Sequence, residues 1–221
     1  MFIRVLAAIF AISISATGGA RVTDPAEWHE AVWRMHNAIS CAVYNDFKNH
    51  AGEGVFAAIE GDVDGKAYNR LHTNFDDCVA SVSFAGTWVG KLNFEPALVK
   101  GEISRSIVLD GWGVRTKKEL LPEFRRLADI ARSPSSNPIG AFGVCVVALD
   151  PQNARRAIER PAADNVERAA YAALGPSMSH CIAPGQSITF SRQVLEDALA
   201  EGMFVATFAS PANGVEREEP K

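Results

Sequence analysis

Apolar residues recur along most of the chain at intervals of three and four, the spacing that lays one stripe of a helix against a core. Trp28, Ala31, Val32, Met35 and Ile39 form the first stripe. It follows Asp24-Pro25-Ala26-Glu27, in which Asp is the N-cap, Pro the first helical residue and Glu the closing member of a capping box. Asn137-Pro138 opens the second half of the chain in the same manner, and Asp150-Pro151 starts a helix through Ala154, Ala157 and Ile158. A further helix is predicted around Ala67, Tyr68 and Leu71, and another around Ala170, Tyr171 and Leu174, each ending near a cysteine. Glu95-Pro96 opens a helix to about Leu109, and Ser191 opens one to about Phe204. Their stripes are Val99, Ile103, Ile107 and Leu195, Leu199, Met203, and Gly111 stands where the first would be capped. Between the halves, Thr116-Lys117-Lys118-Glu119 is a capping box ahead of Leu120, Leu121, Phe124, Leu127 and Ala128. Two runs, 81–89 and 141–149, also read as buried strands, although the parallel between the halves favours a helix for the second. The expected fold is mostly α.

The amino end has another pattern. A short basic opening, Met1-Phe2-Ile3-Arg4, precedes the apolar run 5–14 and the small residues 15–20. The run is too short to cross a hydrocarbon layer of roughly 30 Å, which takes about 20 helical residues. Residues 1–20 are therefore expected to be a signal peptide cut before Arg21, with a cut after Ala16 as second choice. No cysteine follows the run, so no lipid anchor is expected. The implied destination is the periplasm or the exterior, with no integral membrane segment after cleavage.

All four cysteines, Cys41, Cys78, Cys145 and Cys181, lie beyond the leader, and an even count in an oxidising compartment reads as two disulfides. Setting Cys41 on Cys145 places Val43 on Val147 and Asp46 on Asp150; after a deletion, Ala58-Ile59-Glu60 meets Ala157-Ile158-Glu159. Setting Cys78 on Cys181 places Ala67-Tyr68 on Ala170-Tyr171 and Leu71 on Leu174. After a further gap, Val99, Ile103 and Ile107 meet Leu195, Leu199 and Met203. This ordered recurrence points to a duplication, so each copy is expected to close its own bridge, Cys41 to Cys78 and Cys145 to Cys181. No Cys-x-x-Cys or Cys/His pair has zinc spacing.

The expected organisation is a leader at 1–20, a first helical repeat at 21–110 with an insertion at 79–93, a linking helix and break at 111–136, a second repeat at 137–207 and a tail at 208–221. The second copy, in Cys145-Val-Val-Ala-Leu-Asp-Pro, Ala157-Ile158-Glu159, Ser179-His-Cys181-Ile-Ala-Pro-Gly-Gln-Ser-Ile-Thr-Phe-Ser-Arg192 and Leu195-Glu-Asp-Ala-Leu-Ala-Glu-Gly-Met203, resembles the repeat of a family of uncharacterised alphaproteobacterial exported proteins. That resemblance spans about 144–204 and implies duplicated helical modules in a bacterial envelope; it implies no activity.

Composition narrows the partners. The 221 residues hold 22 Lys+Arg against 26 Asp+Glu, and this mild acidity excludes a general electrostatic grip on nucleic acid or anionic lipid. An apolar content of 48% excludes wholesale disorder.

Catalytic and metal patterns fail one by one. His29-Glu30-Ala31-Val32-Trp33 has Trp where a zinc helix needs its second His, and His36 lies about 10 Å further along the axis. Gly52-Glu53-Gly54 lacks the preceding strand of a dinucleotide loop and reads as a helix-to-helix turn. Asp62-Val63-Asp64-Gly65 lacks the later ligands of a calcium loop and also reads as a turn. Asp76-Asp77 reads as two solvated acids near a helix end. No metal and no cofactor is expected. Phe84 and Trp88, in the insertion, and Trp112 are the candidate recognition residues. The expected role is non-catalytic binding of a protein or envelope component; the alternative is a periplasmic hydrolase whose site between the repeats would gather Asp76, Asp77, His72 or His180.

Overall fold

The computed structural model describes residues 25–62, 64–81, 96–109, 118–132, 138–159, 164–186 and 188–209. The leader, the insertion from residue 82 on with Phe84 and Trp88, the start of the linker with Trp112, all but the first residue of the candidate strand at 81–89, and the tail beyond 209 lie outside them. Among the described residues the chain is helical and contains no strand. α1 spans Pro25–His50, α2 Glu53–Glu60, α3 Lys66–Ser81, α4 Pro96–Leu109, α5 Leu121–Ala131, α6 Pro138–Leu149, α7 Pro151–Ile158, α8 Asp164–His180 and α9 Arg192–Phe208. A 3-10 turn at Lys118–Leu120 leads into α5.

Starts and stops follow the local chemistry. Asp150 caps α7 by accepting from the Asn153 N–H at 3.1 Å, with Pro151 in the first turn. Ser191 caps α9 by accepting from the Val194 N–H at 3.3 Å. Between α1 and α2 the chain reverses through Ala51 and Gly52, both left-handed, with Gly52 at φ 82°. Gly52 offers no capping side chain. Asp46, buried in α1, reaches across instead and accepts from the Val55 N–H at 3.0 Å. The run 141–149 is a helix: Phe142, Val146 and Val147 are buried and Gly143 meets α9, while Leu149 at its end is exposed. α9 runs four residues past the expected Phe204, because Val205 and Phe208 still face the interior.

Each half contains four helices, and in each a disulfide ties the first helix to the third: Cys41–Cys78 joins α1 to α3, and Cys145–Cys181 joins α6 to the residue after α8. Two cores result. The first gathers Val43, Val55, Leu71, Phe75, Ile103 and Ile107 with Phe124 of α5. Phe124 is the hub of its aromatic part, with ring centroids 5.8 Å from Phe47, 5.6 Å from Phe56, 6.1 Å from Phe204 and 4.9 Å from Phe208. The second core gathers Phe142, Val146, Ala154, Ile158, Leu174 and Leu199.

α9 is the hinge-pin of the architecture, packed along α6 in its own half and along α4 of the other. Its residues from Glu196 to Val205 are all buried. This is possible because small residues let the backbones meet. A Cβ on Gly143 would stand 1.8 Å from the Ala198 carbonyl oxygen, one on Gly202 would stand 2.5 Å from the Gly143 oxygen, and one on Gly101 would stand 2.4 Å from Asp197 Cβ. No described helix is long and apolar enough to cross a membrane.

Candidate functional site

Apart from Asp46, the ionisable groups buried among the described residues lie along one seam, where α4 and α9 meet under α1. Glu102, Ser104, Arg105 and Ser106 of α4 and Glu196, Asp197 and Glu201 of α9 are all buried. Helical spacing explains the grouping: 102, 105 and 106 share one face of α4, and 197 and 201 are one turn apart on α9.

At the centre is a hydrogen-bonded chain. Arg105 Nη1 donates to His36 Nε2 at 2.9 Å, and His36 Nδ1 meets Glu102 Oε2. A guanidinium accepts nothing, so this contact needs a lone pair on Nε2; His36 then carries its proton on Nδ1 and donates it to Glu102. The other Glu102 oxygen accepts from the Gln193 amide at 2.7 Å. Burial pushes the Glu102 carboxyl up, but the His36 hydrogen bond, the Arg105 charge and Gln193 together outweigh it and hold the group below the usual carboxylate range. Glu196 accepts from Tyr171 Oη at 3.1 Å and from Arg192 Nε at 2.9 Å, and lies 3.7 Å from Arg105 Nη1. Lys100 Nζ lies 3.6 Å from Glu201 Oε1. Ser106 donates to Ser40 of α1 at 3.0 Å.

Asp197 is the exception. Gln193 reaches its Oδ1 at 3.5 Å, while Oδ2 is buried with no hydrogen-bond partner. Burial first, then the negative charges of Glu102, Glu196 and Glu201, push its carboxyl well above the usual range. An Asp so placed keeps its proton into the pH range where exposed carboxyls have lost theirs.

Most of the seam's charged groups partner one another across the helices, which suits a joint between them. Among the described residues no cluster of His, Cys, Asp and Glu has the geometry to hold a metal ion. A separate recess between α1 and α3, bordered by Ile39, Val43, Tyr68, Leu71 and Phe75, has a volume of ≈ 30 Å³, room for water but not for a metabolite.

The residues named from sequence for a hydrolase do not converge. His72 and Asp76 pair with each other at 3.3 Å on α3, with Asp76 and Asp77 exposed. His180 is exposed at the end of α8, in the other half. His36 is part-buried, with its side chain 10% exposed and held from both sides. Sequence reasoning missed the seam because it followed only the apolar stripe Leu195, Leu199 and Met203 of α9 and assigned no role to Glu196, Asp197 and Glu201. The usable signal was that Ala198, Ala200, Gly202, Phe204 and Val205 leave that helix without a continuous polar face, so that its acids had to go inside with it. Compared with known proteins, the chain matches no family model, no curated protein and no solved structure.

Proposed function

We propose that the chain is an exported, non-catalytic protein of two related helical repeats that binds a protein or another component of the cell envelope. The observation that carries this reading is where the chemistry-bearing side chains go. Those buried together hold one half to the other, and His72, Asp76, Asp77 and His180 are spread over the surfaces of different helices. The duplication is supported by positions that do the same work in each half. Asp46 and Asp150, aligned by the cysteines, each accept from the first turn of the second helix of their half. Leu71 and Leu174 are both buried beside a bridge, and the two bridges span 37 and 36 residues. Both bridges suit an oxidising compartment.

The test is a photo-crosslinker placed at position 91 of the full chain, two residues past the segment 84–89, in growing cells. The expected result is a mature chain beginning at Arg21, both disulfides formed, and an envelope adduct that disappears when residues 84–89 are deleted. A chain that keeps Met1 and has free thiols overturns export; adducts that survive the deletion unchanged overturn the recognition surface.

A further inference from the structure

The register that aligns Val99, Ile103 and Ile107 with Leu195, Leu199 and Met203 sets each residue of α4 on the residue 96 positions later in α9. Applied to the contacts between these two helices, it turns them into pairs. Gly101 aligns with Asp197, and Gly101 is packed against Asp197, so the equivalent positions touch each other. Lys100 aligns with Glu196 and Arg105 with Glu201; the ion pairs are Lys100 to Glu201 and Arg105 to Glu196. When a residue meets the equivalent of its neighbour, and that neighbour meets the residue's own equivalent, the interface is isologous, the signature of a two-fold axis. The same relation recurs away from the charges. Val108 of α4 reaches the second core as well as the first, and its equivalent Phe204 belongs to the first. Glu102 and Ser106 face α1, and their equivalents Ala198 and Gly202 face α6.

We propose that α4 and α9 cross on a local two-fold axis between Gly101 and Asp197, and that this internal dimer interface is charge-split so that each half selects the other over a copy of itself. The first half supplies a cation at both related positions, Lys100 and Arg105; the second supplies an anion at both, Glu196 and Glu201. Two copies of the first half meeting through this surface would set Lys100 against Arg105. Two copies of the second would set Glu196 against Glu201. Like charges that are buried on association are strongly disfavoured, so the same pairs that join unlike halves reject like ones. The partner this surface fits is therefore the opposite half, from the same chain or from a neighbouring one. The inference rests on the duplication register proposed above but not on export or on any external partner, and it stands if those fail.

The experiment uses the full chain with a specific protease site inserted in 133–137, cut after folding and oxidation, with the affinity of the two pieces read by native mass spectrometry and dilution. The cut wild type is expected to remain a one-to-one pair. Lys100→Glu weakens pairing about tenfold or more, Glu201→Lys does the same, and the two together restore it to within about threefold, because the reversed pair is again complementary. These positions are chosen because Lys100 is 20% exposed and lies outside the His36 chain, so the fold survives the change. Next, cut wild type is mixed with the cut double variant (Lys100→Glu, Glu201→Lys), which itself pairs, and hybrids are counted by mass. Hybrids below a tenth of the statistical yield support the charge split. Statistical hybrids, or no rescue by the reversed pair, overturn it.

Discussion

Adding one methyl group at Gly143 tests the central packing of the molecule. Gly143→Ala gains about 1 kcal/mol of helix propensity, and at an open position it would stabilise the protein by that amount. Here the new Cβ would stand 1.8 Å from the Ala198 carbonyl oxygen and 2.5 Å from its carbon, whereas real Cβ atoms essentially never come under 3.0 Å. The obstacle is backbone, with no flexible side-chain end to swing away. α6 and α9 would have to separate by roughly 1 Å or more, loosening Phe142, Val146, Val147, Leu199 and Met203, which pack in the core they share. Overpacking against an immovable wall costs about 3 kcal/mol, so the net loss is about 2 kcal/mol. At this chain length that lowers Tm by about 4–8 °C. Gly202→Ala strains the same contact from the other side, at 2.5 Å from the Gly143 oxygen. Once the helices have parted for one methyl, the second meets less resistance, so the double variant loses clearly less than the sum of the singles. The assay is urea unfolding of the oxidised protein at neutral pH. A Gly143→Ala protein as stable as wild type, or two losses that simply add, would refute the close approach of α6 and α9.

The remaining predictions concern charge, covalent bonds and the aromatic hub. Asp197 has a folded pKa above its unfolded value near 3.8, so its contribution is complete below that pH and is lost as pH rises through the folded pKa. Asp197→Asn keeps the neutral form at every pH: its unfolding free energy should match wild type at pH 3.5 and exceed it at pH 8, and a gain of the same size at both would show that titration is not the cause. Glu102 is shifted the other way, so its contribution is present above its unfolded value near 4.5 and is lost as pH falls through the folded pKa; Glu102→Gln should flatten the acid limb of the stability curve. Replacing Cys145 and Cys181 together by Ala opens a loop of 36 residues and should cost roughly 4 kcal/mol in denaturant unfolding, with the Cys41–Cys78 bridge still found by non-reducing peptide mapping. Phe124→Ala removes the ring that four other phenylalanines touch and should cost about 3–5 kcal/mol; a loss below 1 kcal/mol would mean that the hub carries little of the first core.

The parts of the fold legible in the sequence are those governed by neighbours along the chain. Asp150-Pro151, Ser191 and the stripe Phe124, Leu127, Ala128 determine their helices locally, and each lies where those residues indicate. The disulfide pairing became readable only because the halves could be compared, since spacing by itself leaves three connectivities open. What could not be read depends on contacts remote in sequence. Asp46 looked like any polar residue of α1, and only the turn at Gly52 brings the amide of Val55 onto it. Glu102 and Gln193 lie 91 positions apart, and nothing near either announces the other. The seam between the halves is built almost wholly from such pairs, so a helix like α9 could be placed correctly in the sequence while its acids were left without a role.

Phe204 and Phe208 close the core of the first half, although they are among the last described residues of the chain. A ribosome delivers them after everything else in that core. The first half therefore remains short of its finishing side chains throughout synthesis, whatever its own helices and bridge can do alone. Closure waits for a contact that spans about eighty residues, from Phe124 to Phe204, and this slows folding relative to a domain whose last piece is made nearby. On the export proposed above, such a delay favours threading through a narrow channel, because the first core closes only after Phe204 and Phe208 are made.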